Sequence, residues 1–250
     1  MDDGLFGRSA AVVAPGAVLL PDWLDSAEQR RMLGAARRWA APPAGLRHPR
    51  MPDGTPLRVE SVCLGWHWSP YRYSRYADDS DGDGAPVKPL PAWLVEMARA
   101  AVVDASGIDP TVSAEPASYC PDAAIVNYYD DDARLGLHQD RAEHMMAPVV
   151  SFSIGNVCVF RFGNPHTRTR PWRDVELRSG DLFVFGGPSR LAYHGVPRTM
   201  PGSAPPELGM RHGRLSVTVR ETGLAGQPGR PVTTAEGAGI PPGRGSTGWG

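Results

Sequence analysis

The sequence predicts a mainly β fold with flanking helices, and two observations support this fold class. From residue 123 onward, short runs rich in β-branched and aromatic residues alternate with turn signals such as Gly155-Asn156 and Ser179-Gly180. Several short strands at this spacing are typical of an antiparallel sandwich or barrel. Before residue 123, apolar residues recur at helical spacing in two segments. The β-like runs are AAIVNYY, PVVSFSI, VCVFRF, DVELRSGDLFVFGG and RLSVTVRE.

Two helices are predicted ahead of the β-rich part. The first begins at Ser26, which forms an S-x-x-Q capping box with Gln29. The second covers about Pro91 to Asp104 and has a proline in its first turn. The faces predicted to be buried are formed by Met32, Leu33, Ala36 and Trp39 in the first helix and by Leu94, Met97, Ala101 and Val102 in the second.

Length and composition predict a single domain with a tail. The 250 residues fit one domain, which we place at residues 1–222. Residues 223–250 are rich in Gly and Pro and contain few large apolar residues, so we expect a disordered tail there. The 26 basic and 27 acidic residues give a net charge of −1, which offers no compositional argument for nucleic-acid binding.

The cysteines and the N-terminus predict a cytoplasmic protein. Cys63, Cys120 and Cys158 include no C-x-x-C pair, and an odd number cannot close a complete set of disulfides. A reducing compartment is the simpler interpretation. The start MDDGLFGRSA lacks the features of a signal peptide, and no apolar run approaches the roughly 18 residues that span a bilayer. We expect no membrane partner.

An acidic stretch, DDSDGDGAPVK, contains the pattern D-x-D-x-D-G from Asp79 to Gly84. This pattern resembles the start of a calcium loop, which needs a bidentate glutamate at its twelfth position. Counted from Asp79, the twelfth position is Leu90. The missing ligand favours an acidic surface loop over a calcium site.

The stretch LGLHQDRAE places His138 and Asp140 two residues apart, on one face if the segment is extended. They could be metal ligands, an acid/base pair or an ordinary surface pair. His194 is a third candidate, because two histidines and one carboxylate form the facial triad that binds Fe(II) and leaves positions open. The chain has seven histidines, so spacing alone does not select His194.

The run RLSVTVRE places Arg214 and Arg220 on one strand face, together with Ser216 and Thr218. Two arginines turned inward would need anionic partners, and a dicarboxylate co-substrate would supply them. The alternation fits equally well with both arginines facing solvent and the intervening apolar residues facing the core.

The run AAIVNYYDD places Asn127 and Tyr129 on one strand face as well. Both side chains offer hydrogen-bond donors to a carboxylate. Ordinary strand composition is the alternative, because tyrosine favours strands whatever their function.

Four ordered blocks resemble the AlkB family of Fe(II)/2-oxoglutarate-dependent nucleic-acid dealkylating dioxygenases, in its bacterial type. The blocks are NYYDDDARLGLHQD, PVVSFSIGNVCVFRFG, GDLFVFGGPSRLAYHG and RLSVTVR. The similarity runs from about Gly16 to Gly223. It implies a double-stranded β-helix, or jelly roll, at about residues 123–222. Helices and a nucleotide-recognition lid, at about residues 44–76, would precede this core.

The resemblance also implies the site residues and their roles. The catalytic iron ligands would be His138, Asp140 and His194. The contacts to 2-oxoglutarate would be Asn127, Tyr129, Arg214, Ser216 and Arg220, with Arg214 at the distal carboxylate and Arg220 near the metal-bound end. The substrate contacts would be Trp66, Tyr71 and Tyr73 in LGWHWSPYRYS and Arg168 in PHTRTRPWR. The three aromatic residues could instead be core and surface residues of an ordinary loop.

The chain departs from the family pattern at three places. Ser216 replaces the asparagine of the R-x-N-x-T-x-R strand, which shortens a donor to the co-substrate. Ala142 stands where bacterial members carry an acidic residue that helps to select the base, with Glu143 beside it. The segment TMPGSAPPELGMRHG lengthens the connection between His194 and Arg214.

The function implied by the resemblance is oxidative demethylation of N-alkylated bases such as N1-methyladenine and N3-methylcytosine. The substrate would be DNA or RNA, single-stranded or double-stranded, and the enzyme a monomer. Fe(II), 2-oxoglutarate and O2 would be used, and formaldehyde and succinate released. The alternatives are an oxygenase for a small molecule or a protein, a non-catalytic jelly-roll binding module, and a zinc hydrolase with the same ligand set.

Overall fold

The computed structural model describes residues 8–70 and 72–224, and within them the predicted mainly β fold is confirmed. Its strands are β1 (Ala11–Ala14), β2 (Ala17–Leu20), β3 (Glu60–Leu64), β4 (His67–Ser69), β5 (Arg72–Ser74), β6 (Ala123–Tyr129), β7 (Leu135–His138), β8 (Val149–Gly155), β9 (Val157–Phe162), β10 (Arg173–Leu177), β11 (Leu182–Phe185), β12 (His194–Met200) and β13 (Arg214–Arg220). The α-helices are α1 (Ser26–Ala40) and α2 (Ala92–Ile108).

The strands form two antiparallel sheets and a separate hairpin. The major sheet has the order β1-β2-β11-β8-β13-β6-β3, and the minor sheet has the order β10-β9-β12-β7. Among the described residues, strands β4 and β5 pair only with each other, and both lie within the predicted lid. This arrangement agrees with a jelly roll. Its major sheet also includes β1, β2 and β3, which precede residue 123 in the chain.

Two hydrophobic clusters divide the fold into layers. One cluster lies between the sheets and contains a group of phenylalanines from β9 and β11: Phe160, Phe162, Phe183 and Phe185. The other lies between the major sheet and both helices, and Trp39 of α1 stacks on Trp93 of α2 at 6.0 Å. The major sheet is therefore buried on both faces, which explains why every residue of β13 is buried.

Helix α1 begins at Ser26, as predicted, but its capping box lies one residue earlier than expected. Asp25 is the N-cap residue, and its carboxylate accepts hydrogen bonds from the backbone N–H groups of Ala27 and Glu28. Glu28 completes the box by accepting from the N–H of Asp25. A D-x-x-E pattern overlaps the S-x-x-Q pattern, and the charged pair forms because carboxylates are stabilised at a helix N-terminus. Gln29 instead accepts a hydrogen bond from the hydroxyl of Ser179.

Helix α2 is longer at its C-terminal end than predicted. Pro91 is its N-cap residue, and the helix continues through Gly107 to Ile108. Of its predicted buried face, Leu94, Ala101 and Val102 are fully buried. No helix in the described segments has both the length and the apolar character needed to cross a membrane. Most of the predicted tail, residues 225–250, lies outside the described residues.

Candidate metal and co-substrate site

Three side chains from the minor sheet converge at its β7 edge. His138 ends β7 and lies directly opposite His194, the first residue of β12. Asp140 follows just beyond β7. Its Oδ1 lies 3.8 Å from Nε2 of His138, and its Oδ2 lies 3.7 Å from Nε2 of His194. The ligand atoms of the three residues lie within 4.8 Å of one another, and no other group of His, Cys, Asp or Glu in residues 8–70 and 72–224 has this geometry.

Backbone carbonyls orient both imidazoles toward a common centre. Nδ1 of His138 lies 2.9 Å from the carbonyl oxygen of Gly136, and Nδ1 of His194 lies 2.9 Å from that of Ala192. Each Nδ1–H therefore donates to a carbonyl, which leaves Nε2 as an electron-pair donor. Burial and the nearby His138 lower the pKa of His194 to about 4. His194 is consequently neutral at pH 7, as a metal ligand must be.

Asp140 is kept ionised although it is buried. Burial opposes ionisation, but Nη2 of Arg220 lies 2.9 Å from its carboxylate, and both histidines favour the charged form. The result is a pKa for Asp140 well below its usual range. Two imidazoles and one carboxylate, with ligand atoms within 4.8 Å of one another, fit the donor set that binds Fe(II).

The predicted co-substrate residues line the same cavity as the three ligands. They belong to neighbouring strands of the major sheet, because β6 and β13 pair in register. The cavity-lining residues of these two strands are Asn127, Tyr129, Arg214, Ser216, Thr218 and Arg220. The structure therefore selects the inward orientation of the arginines over the solvent-facing one.

Arg214 is a buried cation with an unfilled hydrogen-bonding capacity. Its exposure is 1%, and its Nη2 donates to the hydroxyl of Ser153 at 3.1 Å. Nε and Nη1 of Arg214, and Nε of Arg220, have no hydrogen-bond partner among the described residues. Because an unpaired buried charge is costly, this pattern fits a cavity that binds an anion. A carboxylate is well suited to this site, because it accepts charge-assisted hydrogen bonds from N–H donors in the plane of the guanidinium group.

Two further polar side chains of the cavity are already held by hydroxyl groups. The amide oxygen of Asn127 accepts a hydrogen bond from Ser61 at 2.6 Å, which directs the NH2 end of the amide away from Ser61. The hydroxyl of Ser216 lies 3.1 Å from that of Ser151. At the position where the family pattern has asparagine, this chain therefore has a short hydroxyl that pairs with a neighbouring strand.

A buried ionic cluster behind Asp140 was not predicted from the sequence. The side chain of Glu143 is 1% exposed, and its carboxylate contacts Nη1 of Arg220 at 2.8 Å and Nη2 of Arg190 at 3.1 Å. The hydroxyl of Tyr73 donates to the same carboxylate at 2.6 Å. Arg190 also donates to the carbonyl oxygen of Asp140 at 2.9 Å. Glu143 thus connects Tyr73, in the predicted lid, to the arginine that pairs with Asp140.

The predicted substrate residues are placed less uniformly. Tyr73 reaches the buried cluster, whereas Trp66 does not line the cavity. The indole N–H of Trp66 donates to Asp122 at 3.0 Å, and the guanidinium carbon of Arg75 lies 3.5 Å from the centre of its ring.

The other two predicted substrate residues are Tyr71 and Arg168. Tyr71 lies outside the described residues. Arg168 is exposed, with its guanidinium carbon 5.5 Å from the ring centre of Tyr193. Arg168 is thus near the chain segment that leads into His194.

Comparisons with known proteins agree with this site. The model of the 2OG-Fe(II) oxygenase superfamily matches residues 16–220. A Caulobacter vibrioides protein named alpha-ketoglutarate-dependent dioxygenase AlkB homolog is 36% identical over 217 residues, covering 85% of this chain and 90% of the relative. The DNA N(6)-methyladenine demethylase ALKBH1C of Arabidopsis thaliana is 33% identical over 230 residues, covering 86% of this chain. The chain covers 50% of the length of this plant relative.

A solved structure leads to the same family. "The structure of OsALKBH1" matches with a TM-score of 0.74 and 31% sequence identity, covering 84% of this chain and 100% of that one. The superfamily description names Fe(II) and 2OG, the metal and co-substrate that the donor set and the buried arginines fit. From its matched length and its identity to these relatives, the chain belongs to the 2OG-Fe(II) oxygenase superfamily and, within it, to the AlkB family.

Proposed function

We propose that this protein demethylates N-alkylated bases in DNA or RNA by oxidation, with N1-methyladenine and N3-methylcytosine as the expected substrate type. The observation on which this rests is the pair of unfilled guanidinium N–H groups on buried Arg214, in one cavity with His138, Asp140 and His194. The mechanism of a zinc hydrolase gives this buried cation no anionic partner. A 2-oxoglutarate carboxylate would complete its hydrogen bonds.

The residues divide the work by position. His138, Asp140 and His194 would hold Fe(II), and Arg214 would bind the distal carboxylate of 2-oxoglutarate, with Asn127 and Tyr129 as further donors. When bound, Fe(II) with 2-oxoglutarate and O2 supplies the oxidant that hydroxylates an N-linked methyl group, and the product then loses formaldehyde. Arg220 keeps Asp140 ionised through its 2.9 Å contact.

The base must reach the cavity from outside a duplex. A methyl group on a base-pairing nitrogen is inaccessible in stacked DNA, so the nucleotide has to be unpaired or flipped out. The hydrogen bond from Tyr73 to Glu143 links one residue of the expected lid to Arg220, which lines the cavity and pairs with the same carboxylate. We assign contacts with the base and its flanking backbone to Tyr73, Trp66 and Arg168, and the family resemblance adds Tyr71, which lies outside the described residues. A cytoplasmic monomer is part of the proposal, and the three free cysteines agree with a reducing compartment.

N6-methyladenine in DNA is the second candidate substrate. The plant relative that covers 86% of this chain is named for that activity. In this chain Ala142 replaces the acidic residue of bacterial members, and Glu143 beside it is occupied by two arginines and a tyrosine. A base with a neutral N6-methyl group needs no carboxylate opposite it. The absence of a free carboxylate at this position therefore fits N6-methyladenine as a substrate.

The experiment is anaerobic reconstitution with Fe(II) and 2-oxoglutarate, followed by air and a panel of oligonucleotides. The panel contains N1-methyladenine, N3-methylcytosine or N6-methyladenine, each in DNA and RNA and in single and double strands. We expect succinate, formaldehyde and demethylated base in equal amounts for at least one oligonucleotide. Succinate formation without demethylation of any oligonucleotide would favour an oxygenase for a small molecule or a protein. Absence of both products would favour a binding module.

A further inference from the structure

The acidic stretch at residues 78–84 binds the lid rather than a cation. Each of its four aspartates contacts a lid residue from the segment 44–76: Asp78 contacts Arg72, Asp79 contacts Arg47 and His67, Asp81 contacts Arg50, and Asp83 contacts the backbone N–H of Ala44. We name residues 78–84 the acidic loop. The aspartates of its D-x-D-x-D-G pattern therefore contact two arginines, a histidine and a backbone N–H.

One aspartate of the acidic loop forms a buried anchor. The side chain of Asp79 is 11% exposed and that of Arg47 is 4% exposed, and the two lie 2.8 Å apart. Nε2 of His67 lies 3.1 Å from the same carboxylate. Arg47 also donates to the backbone oxygens of Ser61 and Trp68. Removing one partner of such a buried pair is costly, so this contact fixes the acidic loop against the lid.

The other two arginine pairs are exposed and easily exchanged. Arg72 is 52% exposed and its partner Asp78 is 32% exposed, while Arg50 and Asp81 are 41% and 26% exposed. Exposed ion pairs contribute only about 0 to 1 kcal/mol, so another anion can replace either carboxylate at little cost. The buried anchor keeps the acidic loop in place during the exchange.

The geometry at Arg72 is that of an anion clamp. Nη1 and Nη2 of Arg72 each lie 3.0 Å from a different carboxylate oxygen of Asp78. The same two N–H groups fit two oxygens of a phosphate. Arg72 directly precedes Tyr73 in β5, and the hydroxyl of Tyr73 reaches Glu143, which pairs with the cavity-lining Arg220. Because successive side chains of a strand point to opposite faces, a phosphate bound by Arg72 would lie on the face of β5 opposite Tyr73, in a nucleotide that flanks the base.

We propose that Arg72 and Arg50 form a phosphate-binding surface for the nucleic-acid backbone, and that Asp78 and Asp81 occupy it until nucleic acid displaces them. This inference rests on the proposed function, since it assigns the backbone of the same substrate. The acidic loop lowers affinity for every polyanion by a similar amount. It thereby reduces binding to undamaged strands, whose phosphates are identical to those of damaged ones.

The test compares charge-matched variants of the whole protein. Asp78→Asn/Asp81→Asn removes both exposed carboxylates of the acidic loop, and Glu115→Gln/Glu207→Gln changes the net charge equally at two exposed sites outside the lid. Binding is measured by fluorescence anisotropy with a single-stranded DNA 15-mer containing one N3-methylcytosine and with its unmethylated counterpart, at several salt concentrations. Thermal unfolding confirms that each variant is folded.

We expect the loop variant to bind both oligonucleotides about threefold or more tightly than the wild type, with the control variant near the wild type. The exchange is tested by Arg72→Gln made in both backgrounds. Arg72→Gln should weaken binding more in the Asp78→Asn/Asp81→Asn background than in the wild type, because Asp78 no longer competes there.

Three outcomes overturn the inference. Equal affinity of the loop and control variants would show only a net-charge effect, and an equal cost of Arg72→Gln in both backgrounds would show that Asp78 does not compete. If the wild type demethylates oligonucleotides while either result is obtained, this inference fails and the proposed function stands. If the wild type neither binds nor demethylates any oligonucleotide, the proposed function fails and this inference fails with it.

Discussion

The cavity and the lid both place arginines against carboxylates, but burial gives the two regions opposite properties. In the cavity, Arg220 and Glu143 have side chains that are 8% and 1% exposed, so their charges depend on one fixed arrangement. In the lid, Arg72 is 52% exposed and its pair with Asp78 is readily broken. Charges that position the reacting groups must stay fixed. Charges that contact the phosphates of a nucleic acid must be free to exchange partners when it binds and leaves. Four predictions test this division.

The largest effect is expected at the metal ligands. His138→Ala removes one of three ligands, and a bound metal supplies several kcal/mol of transition-state stabilisation, so activity should fall by about 10³-fold or more. The side chain of His138 is 36% exposed, so the fold should survive the change. The measurements are Fe(II) binding and succinate formation. His212→Ala, with a side chain that is 73% exposed, is the matched control. Persistence of Fe(II) binding and succinate formation in His138→Ala would refute the ligand assignment.

The second prediction is that replacing Arg214 changes protein stability and 2-oxoglutarate binding in opposite directions. Arg214→Met removes a buried cation that lacks partners for two of its nitrogens, so the protein without co-substrate should become more stable by about 1 kcal/mol. The same change removes two charge-assisted hydrogen bonds to 2-oxoglutarate and should weaken its binding about 100-fold.

Both quantities for Arg214→Met are read from thermal unfolding with and without 2-oxoglutarate and Fe(II) under anaerobic conditions. The wild type and the exposed-site control Arg30→Gln should be stabilised by the co-substrate. A variant that is stabilised as strongly as the wild type would place the distal carboxylate elsewhere.

The third effect concerns the buried cluster. Glu143→Gln keeps the shape of the side chain but leaves Arg190 and Arg220 without their shared anion, so the free energy of unfolding should fall by about 3 kcal/mol. Urea titration measures the loss, with Glu207→Gln as the exposed control. A loss below about 1 kcal/mol would mean that the cluster is more hydrated than its burial indicates, and the contrast with the lid would then weaken.

The sequence predicted the parts of the site that follow a local repeat. Strand alternation placed Asn127 on the same face as Tyr129, and Arg214 on the same face as Arg220. All four residues line the cavity. Alternation could not show that both faces of β13 are buried, because burial of the second face depends on helices packing behind the major sheet. The resemblance supplied His194, which spacing could not select among the histidines.

The contacts that the sequence did not reveal join residues far apart in the chain. Glu143 and Arg190 are 47 residues apart, and no local pattern marks either as a partner of the other. The acidic loop was predicted to lie at the surface, but its pairing with Arg47 and Arg72 depends on how the lid folds back. Trp66 was expected to stack on a base, and its hydrogen bond to Asp122 was likewise invisible in the spacing.

The smallest of the four effects is a pH dependence at the lid anchor. Burial raises the pKa of Asp79, but His67, 3.1 Å away, and the charge of Arg47 outweigh burial and hold that pKa below 3.8. Burial lowers the pKa of His67, but Asp79 and Cys63 outweigh it and hold that pKa above 6.5. The anchor is therefore fully charged between these two values.

Asp79→Asn should lower the free energy of unfolding by about 2 kcal/mol near pH 5.5. The stabilisation decreases toward both ends of the pH range, but a different residue is responsible at each end. The stabilisation from Asp79, whose pKa is lowered on folding, is lost as the pH falls through its folded-state value below 3.8. The part from His67, whose pKa is raised, is lost as the pH rises through its folded-state value above 6.5. The difference between wild type and variant should thus be greatest at about pH 4 to 6.5.

Urea titrations from pH 3 to pH 9 measure this difference, and the exposed Asp132→Asn should show none of it. A difference that stays constant across the range would mean that neither Asp79 nor His67 changes its pKa on folding. The anchor would then hold the acidic loop no more firmly than the exposed pairs do, and displacement of Asp78 by a phosphate would carry the whole loop away from the lid.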